Sequence, residues 1–500
     1  MTAPRRGARC KGCEGDSGTT LWCKFFSICS GGFRFASTTG YYLQALRADA
    51  HVILKTTDMP SNHDSTNINN GSVTVTPINR LRGELCLPGD KSISHRAAMI
   101  ASIAHGESVL ENFSTAQDCA ATLDCVQALG VRVEKAGSAV TIVGTGAGLQ
   151  KPAQILNAQN SGTTMRLLSG ILAGQPFETI ITGDDSLLSR PMQRVAEPLR
   201  LMGAEVELQP NGSAPLRIKG HRPLRAVEYQ LPIASAQIKS AVLLAGLAAD
   251  GITTVEEPAP TRDHTERLLS EFGAPIERNG KKISVRGGVE LSSRRLLVPG
   301  DISSAAFFIA AAVSLPDSDL LIRDVGLNPS RTAFLSTLRT MGAEIVVSNE
   351  RLEGGEPVGS LRIRRDMLKK SRSLEISGAE VSNLIDELPL LGFLAAALGC
   401  EMTLRDAGEL RVKESDRIAA TVANLARMGA HAVERADGWH INGAGELHGA
   451  SLSSFGDHRI AMGCAVAALS AQGSSQIEGA ANSVAVSLPE FWSLLESVAE

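Results

Sequence analysis

The sequence predicts an α/β protein of six similar units, packed as two globes of three around buried helices. Three observations lead there. A helix end followed by glycine and a strand recurs at Leu129-Gly130-Val131, Met202-Gly203-Ala204, Phe272-Gly273-Ala274, Met341-Gly342-Ala343 and Met428-Gly429-Ala430, with glycines 73, 70, 69 and 87 residues apart. An apolar helix leaving a small or polar start, then a turn, then a β-rich strand begins near Ser94, Gly162, Ser235, Ser303, Asp386 and Asp457. Two of these helices, over Ala241–Ala249 and Ala305–Val313, are apolar almost all round, and a helix without a polar face is buried.

Each unit reads as a buried helix, a turn often marked by glycine (Gly106, Gly174, Gly251, Gly399, Gly473), a strand, an amphipathic helix and a hairpin such as Ala204–Ile218 or Ala343–Ile363. Glycine at a helix end supplies the left-handed cap. Glu205-Val206-Glu207-Leu208 carries the alternation of a strand. A break near Pro299-Gly300-Asp301 divides the units three and three, and the cleft between two such globes is the expected ligand site.

Composition narrows the function. At 500 residues the chain is too long for one compact domain, and 43% hydrophobic with 4% aromatic residues predicts an aliphatic core. Lys plus Arg (49) falls below Asp plus Glu (53), and no basic tract offers the phosphate attraction of a nucleic-acid binder. The longest apolar stretches, Phe307–Leu315 and Leu390–Leu398, are too short to span a bilayer. Five of the nine cysteines are scattered irregularly, which predicts reduced thiols in a cytosolic setting. The other four, Cys10, Cys13, Cys23 and Cys29, contain one CxxC, but the second pair has the wrong spacing for a zinc ribbon. Residues 1–71 show neither helical period nor strand alternation. They read as a disordered extension or a start assigned too far upstream, with Met59 the more ordinary beginning and a transit peptide left open.

Charged and hydroxyl-bearing residues collect at the helix starts. Pro88-Gly89-Asp90-Lys91-Ser92-Ile93-Ser94-His95-Arg96 adds a lysine, two hydroxyls and an arginine to the positive end of the first inner helix, a combination suited to an anion. The GxxxxGK[ST] spacing of a Walker loop is absent. Read alone, the segment fits a solvated start as well as a phosphate cradle. Asn160-Ser161-Gly162-Thr163-Thr164-Met165-Arg166 opens the second inner helix, where Gly162 admits close approach to the backbone or belongs to a simple cap. Arg190 precedes a helix expected to start at Pro191. Ser235-Ala236-Gln237-Ile238-Lys239-Ser240 puts polar groups at the mouth of an apolar helix, suited to a neutral hydroxylated ligand. Asp386-Glu387 introduces the fifth helix, as a dipole partner or as a catalytic carboxylate. In Lys413-Glu414-Ser415-Asp416-Arg417 the spacing places Lys413 and Arg417 on one helix face, which a surface salt-bridge ladder also explains. Gly456-Asp457-His458-Arg459 starts the last inner helix. Together these clusters predict a cleft for a substrate with several negative charges.

Eight ordered motifs resemble the 5-enolpyruvylshikimate-3-phosphate synthase family (3-phosphoshikimate 1-carboxyvinyltransferases). They are PGDKSISHR (88–96), NSGTTMR (160–166), SRPM (189–192), SAQIKSA (235–241), RDHTE (262–266), IDELP (385–389), RVKESDR (411–417) and GDHRIAM (456–462). The resemblance covers residues 72 to 500 and is closer to bacterial enzymes of the NSGTT type than to those of the NAGTA type. It implies two domains of three βαβαββ units around buried parallel helices, an inside-out α/β barrel. Residues 72–89 and 301–500 would form the first domain and residues 90–300 the second, with the active site between them.

The implied reaction moves the enolpyruvyl group of phosphoenolpyruvate to the 5-hydroxyl of 3-phosphoshikimate and releases phosphate, a step of the shikimate pathway. It requires no metal and no cofactor, and implies a cytoplasmic monomer. By motif, Lys91, Ser92, Arg96, Ser235, Ala236, Gln237, Asp386 and Lys413 would bind 3-phosphoshikimate. Lys91, Gly162, Arg190, Gln237, Arg417 and Arg459 would hold phosphoenolpyruvate. Asp386 would be the base at the 5-hydroxyl, with Glu414 and Lys91 delivering the proton to the methylene carbon.

Two positions depart from the pattern: Val486 stands where many relatives carry a lysine, and Ser235-Ala236 replaces a serine pair. The sister family that uses UDP-N-acetylglucosamine carries a reactive loop cysteine, and the corresponding Gly183–Val195 has none. A noncatalytic anion-binding repeat protein would keep the arginines without needing Asp386 and Glu414.

Overall fold

A computed structural model of the chain describes residues 54–56, 71–146, 148–364, 373–443 and 445–500. The six inner helices run over Lys91–Ser102, Gly162–Ala173, Ala236–Gly246, Ile302–Ser314, Leu388–Ala397 and His458–Ala468. The first begins three residues ahead of the expected Ser94, because Asp90 caps it by accepting a hydrogen bond from the Ile93 amide. Ser161, Ser235, Asp301 and Asp457 do the same for the second, third, fourth and sixth helices. Such caps satisfy amides that have no partner inside the helix. The fifth has Glu387 at its cap position, without a side-chain cap bond, and a proline in its first turn.

Among the described residues, six four-stranded sheets share one order. In the second unit, Leu156–Asn157 runs parallel to Glu178–Thr182, which pairs antiparallel with Leu216–Lys219, itself antiparallel to Glu205–Glu207. The short parallel strand ahead of each inner helix has no counterpart in the repeat read from the sequence, since four of the six have only two or three residues and carry no period. The five marker glycines, Gly130, Gly203, Gly273, Gly342 and Gly429, all have φ between 86° and 103°, the left-handed conformation that ends the outer helix and turns the chain into the hairpin. The second and third inner helices touch so closely that a Cβ on Gly170 would lie 2.1 Å from the Ala241 carbonyl oxygen.

The buried side chains form two apolar clusters with no residue in common. One contains Val73–Leu87 with Ile302–Val498, and the other lies within Ile93–Val298. The strands set this exchange. Arg82–Cys86 runs parallel to Asp319–Gly326, while Arg295–Leu297 runs parallel to His105–Glu111. The chain therefore passes twice between the cores, and the two passages lie side by side. Asp90 donates its amide to the Pro299 carbonyl at 2.8 Å and Asp301 donates to that of Pro88 at 3.1 Å. Gly89 has no room for a side chain, because a Cβ would lie 1.9 Å from the Asn112 carbonyl oxygen.

Two local expectations are corrected. The helix after Arg190 begins at Gln193, since Pro191 forms a bridge to Ser213. A strand, Leu54–Thr56, lies in the N-terminal stretch expected to lack regular structure and pairs antiparallel with Val73–Val75. Three residues at a sheet edge are too few for an alternation to be visible. The four N-terminal cysteines and Met59 lie outside the described residues. Among the described residues no helix is long and apolar enough to cross a membrane, and no His, Cys, Asp and Glu group is arranged to hold a metal.

Candidate active site

The starts of the inner helices and their neighbouring loops bring together cations from both halves of the chain. Arg417 is the most enclosed. Its Nε donates to Asp457 Oδ2 at 2.8 Å, its Nη2 donates to Glu414 Oε2 at 2.7 Å, and its Nη1 lies 3.6 Å from Asp386 Oδ1. Glu414 Oε1 lies 3.8 Å from Arg190 Nη1, and Asp386 Oδ2 lies 3.8 Å from Arg459 Nη2. Arg459 Nη1 also donates to the Asp386 carbonyl at 2.8 Å. Asp386 accepts a further hydrogen bond from Arg262, a residue of the RDHTE motif to which the sequence assigned no role.

This crowding of guanidinium groups sets the protonation of the two carboxylates. Burial alone would raise the Asp386 pKa, but Arg459, Arg262, Arg417 and Lys413 outweigh it and hold the carboxyl well below its usual range. Glu414 is likewise lowered against burial by Arg417, Arg190 and His458. Both are ionised at neutral pH. His458, buried beside Lys91, is pushed down to about 3 and is neutral there.

Lys91 pairs with Asp118 at 3.1 Å. Burial works against its charge, yet Asp118 keeps its pKa raised, while Arg459 and Glu414 also act on it electrostatically. Arg96 is buried and has three polar contacts: Nε donates to Thr265 Oγ1 at 2.7 Å, Nη1 to the Ser92 carbonyl at 2.9 Å and Nη2 to Ser240 Oγ at 3.2 Å. Ser240 Oγ donates to the Ala236 carbonyl at 2.6 Å, which ties Ser92 and Arg96 to the helix that starts after Ser235. Gln237 donates Nε2 to Thr163 Oγ1 at 3.0 Å and accepts Arg166 Nη1 at 2.8 Å. Arg190 Nη2 donates to Asn160 Oδ1 at 2.9 Å, and its buried Nε has no hydrogen-bond partner among the described residues. A Cβ on Gly162 would lie 2.8 Å from Arg166 Nη1 and 3.4 Å from Arg190 Nη1. Val486 ends the short helix Ala480–Ala485.

The structure corrects one relation read from spacing. Lys413 and Arg417 do not share a helix face. Lys413 ends a 3-10 turn over Gly408–Val412 with extended backbone, and Asp416 caps a new helix that begins at Arg417. Lys413 Nζ pairs with Glu409 at 3.1 Å, and its electrostatic link to the site is through Asp386.

Sequence reasoning also gave no role to Arg166, Arg262, Asp118 or Asp457. Arg166 lies one helical turn beyond Gly162, and that spacing was a usable signal. Asp118 and Arg262 meet their partners only in three dimensions. The arrangement is a set of guanidinium and ammonium groups around two ionised carboxylates, able to bind multiply charged anions and to move protons once those anions neutralise the cations.

Comparison with known proteins agrees in extent. The family model described as EPSP synthase (3-phosphoshikimate 1-carboxyvinyltransferase) matches residues 75–495. A 3-phosphoshikimate 1-carboxyvinyltransferase of Solibacter usitatus is 50% identical over 427 residues, covering 85% of this chain and 99% of the relative. One of Desulforudis audaxviator is 50% identical over 427 residues, covering 85% and 98%. A solved EPSP synthase from Acinetobacter baumannii superposes with a TM-score of 0.77 at 42% identity, covering 86% of this chain and 98% of that one. A match that runs through all six units and nearly the full length of its relatives has one meaning: the chain belongs to the EPSP synthase family.

Proposed function

We propose that the protein transfers the enolpyruvyl group of phosphoenolpyruvate to the 5-hydroxyl of 3-phosphoshikimate, giving 5-enolpyruvylshikimate 3-phosphate and phosphate. The carrying observation is the unbroken set of contacts Arg190, Glu414, Arg417, Asp386, Arg459 and Arg262, drawn from loops and helix starts around both apolar cores. In this reading residues 72–89 and 301–500 form one domain and residues 90–300 the other, with the reaction in the cleft between. The protein works as a cytoplasmic monomer on two small anionic substrates, without metal or cofactor.

The chemistry assigns the residues. The 5-oxygen bonds to C2 of phosphoenolpyruvate as the hydroxyl proton leaves and the methylene carbon gains a proton, and the bond from C2 to the phosphate oxygen then breaks as that carbon gives a proton back, so the released phosphate carries the net proton. Asp386 takes the hydroxyl proton. Glu414, with Lys91, serves the methylene carbon. An ionised Glu414 must first acquire a proton, and bound phosphate and carboxylate groups favour this by cancelling the field of Arg417 and Arg190. Lys91, Gly162, Arg190, Gln237, Arg417 and Arg459 receive phosphoenolpyruvate. Lys91, Ser92, Arg96, Ser235, Ala236, Gln237, Asp386 and Lys413 receive 3-phosphoshikimate. Arginine suits these anions because its planar fork binds carboxylate and phosphate through two parallel hydrogen bonds.

The test is a phosphate-release assay with phosphoenolpyruvate paired first with 3-phosphoshikimate and then with UDP-N-acetylglucosamine. Release is expected only with the first pair. Release only with the second would replace this reading by that of the sister family.

A further inference from the structure

Arg331, to which the sequence reading gave no role, lies in the loop ahead of helix Ala333–Thr340 and is buried where the chain passes between the cores. Its Nη2 donates to Ser303 Oγ and its guanidinium lies 3.8 Å from Asp301 Oδ1. Ser303 Oγ has one hydrogen, which it donates to Glu387 Oε1. The same carboxylate oxygen lies 3.6 Å from Arg459 Nη1, the nitrogen that also donates to the Asp386 carbonyl. Arg331, Ser303, Glu387 and Arg459 thus make one polar line across a loop and the starts of three inner helices, and none of the four is more than 9% exposed.

Each link constrains the next. The hydroxyl of Ser303 is oriented by the guanidinium on one side and the carboxylate on the other. Glu387 makes no cap bond to its own helix, which leaves its carboxylate to the serine and to Arg459. Burial opposes a charge on Arg331, yet Asp90, Glu387, Asp301 and Asp386 surround it and raise its pKa, so the line always begins at a cation.

We propose that Arg331 is a positioning residue that acts through Ser303 and Glu387 to fix the guanidinium of Arg459 where it receives phosphoenolpyruvate. The proposal rests on the reading of Arg459 given above. Arginine loses side-chain freedom when it binds a ligand, and a guanidinium already held in place loses less, so breaking the line weakens phosphoenolpyruvate binding by about tenfold. 3-Phosphoshikimate does not depend on Arg459, and its KM stays within about twofold.

The experiment measures phosphate release while each substrate is varied in turn, for the wild type, Ser303→Ala, Arg331→Lys, Glu387→Gln and the Ser303→Ala/Glu387→Gln double variant. Ser303→Ala retains every charge, so it reports even if the substitutions at Arg331 or Glu387 fail to fold. The expected result is a KM for phosphoenolpyruvate raised about tenfold in Ser303→Ala and Arg331→Lys. The double variant should be no worse than the worse single variant, because both cut one line. A purely structural role would lower the melting temperature and the active fraction while leaving both KM values in place. An active wild type with an unchanged KM for phosphoenolpyruvate in Ser303→Ala, or with both KM values raised alike, overturns the relay alone. A wild type that releases no phosphate from this substrate pair overturns the functional reading and the relay together.

Discussion

The base role proposed for Asp386 carries an apparent contradiction: a base must accept a proton, yet four cations hold this carboxyl well below its ordinary range. The resolution lies in Arg262, whose hydrogen bond to Asp386 in the free protein is available for exchange with a bound hydroxyl and phosphate. Once substrate anions engage the arginines, the field on Asp386 weakens and its basicity rises. Asp386→Asn is therefore expected to lower kcat by roughly 10²–10⁴-fold while the KM for 3-phosphoshikimate changes by less than about threefold. Steady-state kinetics with an unchanged kcat would remove Asp386 from the role of base. Gly162 allows a second prediction. An alanine there would lie 2.8 Å from Arg166 Nη1, so that cation must give way, and it would come into contact with Arg190. Gly162→Ala should raise the KM for phosphoenolpyruvate and raise the inhibition constant of a bulkier anionic mimic such as glyphosate by more, and equal inhibition of both proteins would contradict it. Lys91, Arg190, Arg417 and Arg459 were legible because they cluster with small residues at helix starts or in the loops beside them. Arg262 was not, since its partner lies 124 residues away, and no local pattern carries that distance.

At the level of elements, the third and fourth inner helices were legible because burial on all sides leaves them apolar almost all round. The parallel edge strands were not, because a strand such as Leu156–Asn157 is too short to show a period. RVKESDR misled for a related reason. The i,i+4 spacing of Lys413 and Arg417 is helical, but Asp416 accepts from the amides of Ile418 and Ala419 and starts a new helix between them. A cap also supports a pH prediction. Burial and the neighbouring Asp90 carboxylate push Asp301 up to about 6 from a usual 3.8, against the pull of Arg331. Between those values the native protein keeps a proton that the unfolded chain releases, so this group's contribution to stability falls as pH rises from 3.8 to about 6 and stays lower above that. Asp301→Asn retains the oxygen that accepts the Ser303 amide at 2.8 Å and removes the charge. It should stabilise the protein at about pH 8 by at most ~3 kcal/mol and have little effect at about pH 4, as read by thermal unfolding at both values. Destabilisation at the higher pH would mean that the Arg331 pair outweighs the repulsion.

Across the whole molecule, the two apolar clusters are joined by two adjacent chain passages and by polar side-chain contacts. His264 Nδ1 meets Glu356 Oε1 at 2.8 Å, Arg190 approaches Glu414 at 3.8 Å, and Arg262 bonds Asp386. An interface of this kind exchanges protein contacts for water at little net cost, so the cores are expected to populate more than one separation. Ligands that bridge them favour the closer one, because 3-phosphoshikimate and phosphoenolpyruvate each bring anions that cations from both sides would share. Small-angle scattering should therefore show a smaller radius of gyration with 3-phosphoshikimate alone and a further fall when glyphosate is added, with glyphosate alone having less effect. The sign of the salt effect follows from the same forces. Added salt screens the attraction between substrate anions and arginines, so a higher ligand concentration should be needed for the same contraction. A contraction indifferent to salt would point to apolar contact between the cores as its cause. An unchanged radius at saturating ligand would show that the cores already hold their closed separation through the His264, Arg190 and Arg262 contacts alone.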